Sequence, residues 1–468
     1  MSSTASPELI ATSKDRDLIS KYDIAGPRYT SYPTALNFRD DFAANQYRKQ
    51  AEKEQLTSIA PLSLYLHIPF CQNICYYCAC NKIVTKDKGA SRRYLDYLAK
   101  EITLQSALTS KRRLVTQLHL GGGTPTFMDN AELTELMHHL AHNFKLTDSP
   151  SREYSIEIDP RTVSKDTLAL LKGLGFNRLS LGVQDFDPQV QKAINRQQSV
   201  DMIKSLTEAA RLYQFKSVSY DLIYGLPFQT PESLTTTLQH VIALAPDRIA
   251  FYNYAHLPER FSSQRAIDRL SLPSAQQKLD MLELVSSTLL EAGYLYIGMD
   301  HFVKPDDDLA IAQANGKLQR NFQGYSTCMA PDLIGMGVSA ISSLEHCYAQ
   351  NEKNLNDYYQ RLDNNELAVC QGLQLSQDDE IRRRVIHNII CNLELDPKTI
   401  EQEFDCNFSE YFSQALQTLI PLEKDGLIEW RDDKLRVTER GRSMLRNICM
   451  PFDNYLSSAA PSSYSKAL

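Results

Sequence analysis

Hydrophobic and polar positions follow two periods between residues 62 and 302, and each period predicts a different element. Short apolar runs rich in β-branched and aromatic residues predict strands, whereas apolar residues three or four positions apart predict amphipathic helices. The predicted strands are LSLYLHI, VTQLHL, YSIEID, RLSLGV, SVSYDLIY, RIAFYNY and YLYIGM. Amphipathic stretches such as SRRYLDYLAKEI, with Leu95, Leu98 and Ile102 at helical spacing, lie between them.

This alternation of strands and helices predicts an α/β fold with right-handed crossovers and a parallel sheet. In the helical stretch SAQQKLDMLELVSSTLLEAG, Ser274 can cap the start and Gly293 can close the end. Six or seven strand–helix units are too few for a closed eight-fold barrel. We therefore expect an open, partial barrel, with a functional site at the carboxyl ends of its strands.

The pattern changes from about residue 373. Ser376 and Asp379 predict a capping box before a helix that turns Ile381, Val385 and Ile389 inward. Further on, LIEW and LRVT predict a hairpin across RDDK, flanked by helices, an order that resembles a winged helix. We therefore divide the chain into an N-terminal arm or lid (1–47), a barrel (48–372) and a mainly helical, winged-helix-like C-terminal domain (373–468).

Composition and charge narrow the classes of function. The 468 residues include 43% hydrophobic and 23% charged residues, which is ordinary for a globular protein. A formal net charge of −7 argues against a general nucleic-acid binder, and the C-terminal segment has no basic stripe. A DNA-binding redox regulator nevertheless stays open as a rival. The N-terminus lacks the apolar core of a signal peptide, and no apolar run reaches the roughly 18 residues of a membrane span, so we expect a cytoplasmic protein without a membrane partner.

Four of the ten cysteines lie in HIPFCQNICYYCAC, directly after the first predicted strand: Cys71, Cys75, Cys78 and Cys80. A structural zinc site would usually need a second cysteine or histidine pair a dozen or more residues away, and none follows. A dithiol redox pair at Cys75 and Cys78 would not explain the thiols on both sides. An iron–sulfur cluster held by three thiolates fits the spacing better and leaves one iron open. The spacing favours the cluster, with zinc and redox chemistry as alternatives.

Polar groups also follow the later strands. The turn GGGTPT, residues 121–126, either brings backbone amides close to a ligand or is a plain tight turn. Glu157, Gln184 and Asp221 lie in or just after the next three predicted strands. An acidic residue at a strand end can accept hydrogen bonds from ribose hydroxyls, although each one alone could be structural. Their recurrence on successive strands indicates a binding site.

The cysteine spacing followed by a glycine-rich turn resembles the radical S-adenosylmethionine superfamily, and the chain is most similar to the oxygen-independent coproporphyrinogen III oxidases of haem biosynthesis. The matching stretches span nearly the whole chain and are GPRYTSYPTA, YLHIPFCQNICYYCACNKIVT, LHLGGGTPT, SIEIDPR, GFNRLSLGVQDF, DLIYGLPFQTPES, FYNYAHLPE, IGMDHF, RNFQGYST, LIGMGVSAIS and RNICM. A haem chaperone is the nearest alternative, but such relatives generally lack the RYTSYPTA arm.

The resemblance implies that Cys71, Cys75 and Cys78 ligate a [4Fe–4S] cluster and that Cys80 does not. The open iron would bind S-adenosylmethionine, whose reductive cleavage gives methionine and a 5′-deoxyadenosyl radical. The substrate would be coproporphyrinogen III, two of whose propionates become vinyl groups to give protoporphyrinogen IX. Its electron donor and acceptor are not identified by the sequence. We expect a monomer that binds no nucleic acid.

The resemblance also assigns residues to two molecules of S-adenosylmethionine. The residues around the first are Tyr65, Gly122, Glu157 and Ile341. Those around the second are Tyr77, Gly123, Thr124, Gln184, Arg196, Asp221 and Ala255. Arg28 is a candidate lid contact to the substrate's propionates, with a plain surface arginine as the alternative.

The chain departs from the family's usual pattern at three positions. Tyr77 replaces a phenylalanine, Ala79 replaces a glycine, and Pro451 replaces a cysteine. If position 79 required a left-handed backbone, its alanine would cost about 1 kcal/mol. None of the three departures affects the presumed cluster ligands.

Overall fold

The computed structural model describes residues 16–456, so the first 15 residues of the predicted arm and residues 457–468 of the predicted C-terminal domain lie outside the described residues. Six parallel strands form the centre of the main sheet and pair in chain order. They are β1 (Leu62–Ile68), β2 (Leu114–Gly122), β3 (Glu153–Ile158), β4 (Arg178–Gln184), β5 (Ser217–Tyr224) and β6 (Arg248–Asn253). The predicted parallel sheet is confirmed.

A helix follows each of these strands and covers the outer face of the sheet. The helices are α1 (Gly89–Ala107), α2 (Asn130–Asn143), α3 (Lys165–Gly173), α4 (Val200–Leu212), α5 (Pro231–Leu244) and α6 (Ala275–Glu291). Leu95, Leu98 and Ile102 of α1 are buried in the same core as the strands. Ser274 caps α6 by accepting a hydrogen bond from the backbone N–H of Gln277. The six strand–helix units confirm the predicted partial barrel.

The segment YLYIGM is a strand, as predicted, but it is not a seventh parallel unit. It forms β7 (Leu295–Gly298), whose one partner among residues 16–456 is the antiparallel strand β8 (His301–Val303), and β8 pairs with β6. The cause is a two-residue turn at Met299 and Asp300, both of which have positive φ. Such a turn matches the twist of two antiparallel strands and reverses the chain at once.

On its other side the sheet continues past β1. The strands there are β9 (Asp332–Met336), β10 (Ile341–Leu344), β11 (Cys347–Asn351) and β12 (Val369–Gln374). Strand β9 is parallel to β1, and the next three are antiparallel. Within the described residues the main sheet ends at β7 and β12, so the barrel stays open.

The N-terminal arm packs on both the sheet and the C-terminal region. Its first helix is Arg16–Tyr22, and the next helix, Ala44–Glu54, crosses the predicted boundary at residue 47. Arg39 exchanges two backbone hydrogen bonds with Gly372 of β12. The Tyr29 hydroxyl donates to Asp453, 3.0 Å away, and the Tyr348 hydroxyl donates to the carbonyl of Tyr32.

The C-terminal region is mainly helical. Ser376 and Asp379 form the predicted capping box, and Ile381, Val385 and Ile389 are buried as expected. The helices are Gln377–Asn392, Pro397–Phe404, Phe408–Tyr411, Ser413–Lys424 and Leu445–Cys449. The predicted hairpin forms from Ile428–Arg431 and Lys434–Val437, and a third strand that the sequence did not indicate, Glu394–Leu395, joins it. The domain boundaries themselves stay predictions.

Several short strands and helices connect these larger elements. The remaining strands are Phe70–Cys71, Ile83–Val84, Lys145–Leu146, Gln319–Asn321 and Gly324–Ser326. The remaining α-helices are Pro188–Ala193, Asp308–Ala314 and Leu355–Asp363. No helix between residues 16 and 456 is long and apolar enough to cross a bilayer.

A buried ion pair joins three parts of the chain at the amino ends of the strands. Arg113, just before β2, lies 2.7 Å from the carboxylate of Asp332 at the start of β9, and both side chains are almost wholly buried. The same guanidinium donates to the carbonyls of Ala60 and Pro61, before β1, and to the side chain of Gln55. The pair therefore holds β1, β2 and β9 together.

Replacing Arg113→Met should lower the free energy of unfolding by about 3–5 kcal/mol, because it leaves the Asp332 carboxylate buried without its partner. Urea unfolding followed by far-UV circular dichroism measures this change. Lys398→Met is the matched control: its pair with Asp433 is 66% and 80% exposed, so the loss should stay below about 1 kcal/mol. Equal losses for the two variants would contradict this role of Arg113.

Candidate active site

A cavity of about 440 Å³ runs through the inside of the partial barrel. Its wall is built from alternate residues of β2 to β6, because successive side chains of a strand point to opposite faces. The inward residues are largely polar: Gln117, His119, Glu153, Ser155, Glu157, Arg178, Ser180, Ser217, Ser219, Asp221, Arg248 and Tyr252. The outward residues between them, such as Leu118, Ile156, Leu181 and Tyr220, are apolar and buried under the helices.

The cysteine run lies over the carboxyl ends of the strands. Cys71, Cys75, Cys78 and Cys80 all line the cavity. The short strand Phe70–Cys71 pairs with Ile83–Val84, which closes the loop that carries the other three thiols. The hydroxyl of Thr124 lies 3.5 Å from the sulfur of Cys71.

Two guanidinium groups face Cys75. Arg196 Nη1 lies 3.5 Å and Arg161 Nη2 lies 3.7 Å from its sulfur. Both arginines also pair with Asp159, at 3.3 Å and 2.6 Å. Two positive groups, partly balanced by Asp159, therefore lie beside the sulfur of Cys75.

The thiols of the run differ in their tendency to ionise. Hydrogen bonding from Cys80 and the nearby Lys82 ammonium lower the pKa of Cys78 to about 6. Burial raises the pKa of Cys71 to about 11. The pKa of Cys80 lies well above its usual range, because its thiol donates a hydrogen bond to Cys78. Cys80 thus acts as a donor to Cys78.

The donor set suits a cluster better than a single ion. Among residues 16–456, no three His, Cys, Asp or Glu side chains meet as ligands of one metal ion. In an iron–sulfur cluster each thiolate binds its own iron atom, so the three sulfurs stand apart from one another. Three thiols of one loop, at one end of a polar cavity, supply the kind and number of ligands that such a cluster uses when one iron stays open.

The glycine-rich turn packs directly against the cysteine loop. A Cβ atom on Gly123 would lie 2.5 Å from the carbonyl oxygen of Pro69, and one on Gly122, whose φ is +116°, would lie 2.7 Å from the ring of His67. The Gly123 N–H donates to the carbonyl of Ile68, and the Gly122 N–H donates to Glu157. At this turn the ends of two strands therefore approach each other closely. The turn also orients the carboxylate of Glu157.

Glu157 faces the cavity, to which 44% of its side chain is exposed. Its carboxylate lies 3.2 Å from His119 Nε2 and accepts from the Gly122 N–H. Although burial opposes ionisation, these two partners lower the pKa of Glu157. Tyr65 supports the group from the neighbouring strand, since its ring stacks on that of His119 with centroids 5.8 Å apart.

A second polar group lies across the cavity. Arg196 is buried and donates to the carbonyl of Gly182, beside Gln184. Gln184 has a left-handed backbone, with φ of 67°, at the end of β4. Asp221 accepts a hydrogen bond from Ser180 at 2.8 Å, and burial raises its pKa to about 6. Tyr77 also lines this part of the cavity, and burial raises its pKa well above the usual range.

The structure brings most of the sequence-predicted cofactor residues to the cavity wall. Those that line it are Tyr77, Gly122, Gly123, Thr124, Glu157, Gln184, Arg196 and Asp221. Tyr65, Ala255 and Ile341 are not among its lining residues. The substrate candidate Arg28 lies outside it, 3.8 Å from Asp300, the residue just before His301 of the wall.

The three departures from the family pattern cause no visible strain. Ala79 does not have a positive φ, so the left-handed penalty considered for this position does not apply. Tyr77 occupies a buried place beside Cys75 and Arg196. Pro451 lies in a short 3₁₀ helix, Met450–Phe452, away from the cysteine loop.

Sequence reasoning missed the partners of the predicted residues. His119, Asp159 and Arg161 orient the site but were not singled out, nor were Gln323 and Tyr325 of the hairpin across the cavity. The signal was present in the strands, because their polar residues recur at every second position. Arg161 and Asp159 also belong to the stretch SIEIDPR, directly after β3.

Comparison with known proteins agrees with this geometry. Residues 65–241 match the radical SAM superfamily, and residues 375–444 match the HemN C-terminal domain. The oxygen-independent coproporphyrinogen III oxidase of Pseudomonas aeruginosa is 50% identical over 97% of this chain and 98% of its own length. That of Escherichia coli is 50% identical over 94% of this chain and 95% of its own.

A solved structure of coproporphyrinogen III oxidase from Escherichia coli, described as a radical SAM enzyme, superposes with a TM-score of 0.88 at 49% identity. It covers 93% of this chain and 100% of that chain. Similarity of this extent includes the arm, the barrel and the C-terminal region. The chain therefore belongs to the oxygen-independent coproporphyrinogen III oxidases of the radical SAM superfamily.

Proposed function

We propose that this chain converts coproporphyrinogen III to protoporphyrinogen IX without oxygen, in haem biosynthesis. The proposal is carried by the similarity to enzymes of that name, which are 50% identical to this chain over nearly its full length. The polar barrel cavity under a three-cysteine loop supports it. Each of two propionates loses a β-hydrogen, CO₂ and one further electron and becomes a vinyl group.

The cofactors are a [4Fe–4S] cluster and S-adenosylmethionine. When bound, they supply the one-electron chemistry that removes the β-hydrogen. Cys71, Cys75 and Cys78 would hold the cluster as thiolates. Arg161 and Arg196 would stabilise the negative charge of the ligands from 3.7 Å and 3.5 Å. Cys80 would act only by donating to Cys78.

Two groups of residues would orient two molecules of S-adenosylmethionine. Glu157, held by His119 and the glycine turn, would accept hydrogen bonds from the cluster-bound molecule. Tyr65 would support His119, and the family resemblance also assigns Ile341 to this molecule. Across the cavity, Asp221 suits ribose hydroxyls and Arg196 suits a carboxylate. Tyr77, Gly123, Thr124 and Gln184 would complete the second site, with Ala255 at its edge.

The partners beyond the substrate are part of the proposal. Arg28, in the arm, would contact a propionate when the substrate displaces it from Asp300. The electron donor and the acceptor for the last electron are separate redox partners. We propose a monomer in the cytoplasm that binds no nucleic acid, in keeping with the net charge of −7.

An anaerobic assay with coproporphyrinogen III tests the activity. Reduced protein with S-adenosylmethionine should yield protoporphyrin fluorescence, after oxidation of the product, together with 5′-deoxyadenosine and methionine. Tight haem binding with no decarboxylation would instead indicate a haem chaperone. Sequence-specific DNA binding at physiological salt with no S-adenosylmethionine cleavage would indicate a regulator.

The cluster assignment predicts different outcomes for neighbouring cysteines. Reconstituted protein should hold about four irons per chain. Cys71→Ser, Cys75→Ser and Cys78→Ser should each lose the iron–sulfur absorption or the activity, because each removes a thiolate ligand. Cys80→Ser is the matched control and should keep the cluster. Stoichiometric zinc without iron–sulfur absorption in anaerobically purified protein would refute the assignment.

The second cofactor site predicts a pH dependence that the first does not share. Because burial raises the pKa of Asp221 to about 6, its carboxylate is ionised above that pH and protonated below it. Binding at the second site should therefore weaken as the pH falls through about 6, whereas binding near Glu157, whose pKa is lowered, should persist. Equilibrium binding of labelled S-adenosylmethionine measures both sites.

Asp221→Asn should bind one molecule instead of two, with a loss of about ten- to a hundred-fold at the second site, and should keep the cluster spectrum. This variant is a sharper test than Arg196→Ala, since Arg196 also contacts Gly182, Cys75 and Asp159. A single site in wild type under every condition would show that the second-site assignment is wrong.

A further inference from the structure

A second cavity, of about 390 Å³, lies beside the first. Its wall combines arm residues 29–32, the strand Gln319–Asn321, the start of β9 and the helix Gln377–Asn392. Asn321 lines both cavities, so the hairpin of Gln319–Asn321 and Gly324–Ser326 forms the partition between them. The second cavity therefore adjoins the reaction cavity without being part of it.

Among the charged side chains of the second cavity that have no partner of opposite charge within residues 16–456, more are positive than negative. Its basic residues are Arg320, Arg383, Arg384, His346 and His387, and its acidic residues are Glu345, Glu380 and Glu403. Two pairs are satisfied internally. Arg384 pairs with Glu403 at 2.9 Å, and His346 pairs with Glu380 at 2.5 Å.

Arg320 and Arg383 remain without a carboxylate partner in the described part of the chain. Arg320 Nε and Nη1 are buried and have no hydrogen-bond partner there, while its guanidinium stacks 4.7 Å above the ring of Tyr325. Arg383 donates to the backbone carbonyl of Glu345. The buried donors of Arg320 are costly unless an acceptor satisfies them, whereas the contact of Arg383 with Glu345 is exposed.

The arginines of the second cavity also affect His387. Burial and the three arginines Arg384, Arg383 and Arg320 lower the pKa of His387 to about 4, so this histidine stays neutral. His387 can therefore offer a neutral hydrogen bond but adds no charge. Arg320 and Arg383 suit a ligand with planar acceptor geometry, and guanidinium groups bind carboxylates in that way.

We propose that Arg320 and Arg383 bind the two propionates of the tetrapyrrole that are not decarboxylated. This inference rests on the proposed function, because that function supplies a substrate with four propionates, two of which react. The cavity is too small for the whole macrocycle together with its side chains, so it holds one edge. The opposite edge, with the reacting propionates, then extends past the partition toward the cysteine loop.

Porphyrin binding tests the proposal without turnover. The probes are coproporphyrin III, which has four propionates, and mesoporphyrin IX, which keeps only the two that do not react; fluorescence quenching on anaerobic reconstituted protein gives both dissociation constants. Arg320→Gln and Arg383→Gln should each weaken the binding of both probes about ten- to a hundred-fold. Arg384→Gln is the matched control: it lines the same cavity, is 48% exposed and is paired, so the change should stay within about fivefold.

The outcomes separate this inference from the proposed function. If the variants bind both porphyrins as wild type does, the inference is wrong, whatever the activity. If they weaken coproporphyrin III alone, the arginines hold the reacting propionates and the inference is also wrong. If inorganic phosphate binds wild type with an affinity that depends on both arginines while porphyrin binding does not, the cavity takes a free anion instead. If the wild-type protein forms no protoporphyrin, the proposed function is refuted. The porphyrin-binding data then decide separately whether the two arginines bind propionates.

Folding controls keep the test decisive. Both variants should keep the wild-type iron content, far-UV circular dichroism and S-adenosylmethionine cleavage in the absence of substrate, because neither residue lines the reaction cavity. If Arg320→Gln fails these controls, Arg383→Gln decides by itself, since its side chain extends from the surface of a helix that the capping box and buried Ile381, Val385 and Ile389 stabilise.

Discussion

The alternation of side chains across six parallel strands is the constraint on which the molecule depends. The side chains on one face of each strand must be apolar, because they pack against the helices. The side chains on the other face then point into the barrel. Here that inner face carries charge, and several of the charged side chains are paired with a neighbour of opposite sign. Arg178 lies between Glu153 and Asp308, and Arg248 pairs with Asp307. A polar interior is stable where its charges have fixed partners.

The same pairing prepares the site for its cofactors. Asp159 holds Arg161 and Arg196 beside Cys75, and His119 holds Glu157 beside the glycine turn. The groups that would touch a ligand are therefore positioned before the ligand arrives. Preorganised dipoles and charges of this kind reduce the reorganisation that a reaction would otherwise require.

Local patterns predicted the parts of the structure that depend on neighbours in sequence. The strand periods, the capping Ser274 and the cysteine spacing all belong to this class. The reversal at Met299 and Asp300 was not foreseen, because methionine, unlike aspartate, is not typical of a turn with two positive φ angles. The contact between Arg196 and Cys75 joins residues 121 positions apart, and the second cavity joins the arm to a helix more than 300 positions later. Such contacts depend on the whole topology.

The arm has a consequence for how the chain matures during synthesis. Tyr22 and Tyr29 bond to Asp425 and Asp453, across 403 and 424 positions of sequence. These contacts cannot form until the last part of the polypeptide has left the ribosome, whereas the strand–helix units are local and can fold earlier. The arm therefore stays undocked until translation is complete, although it is the first part of the chain to be made.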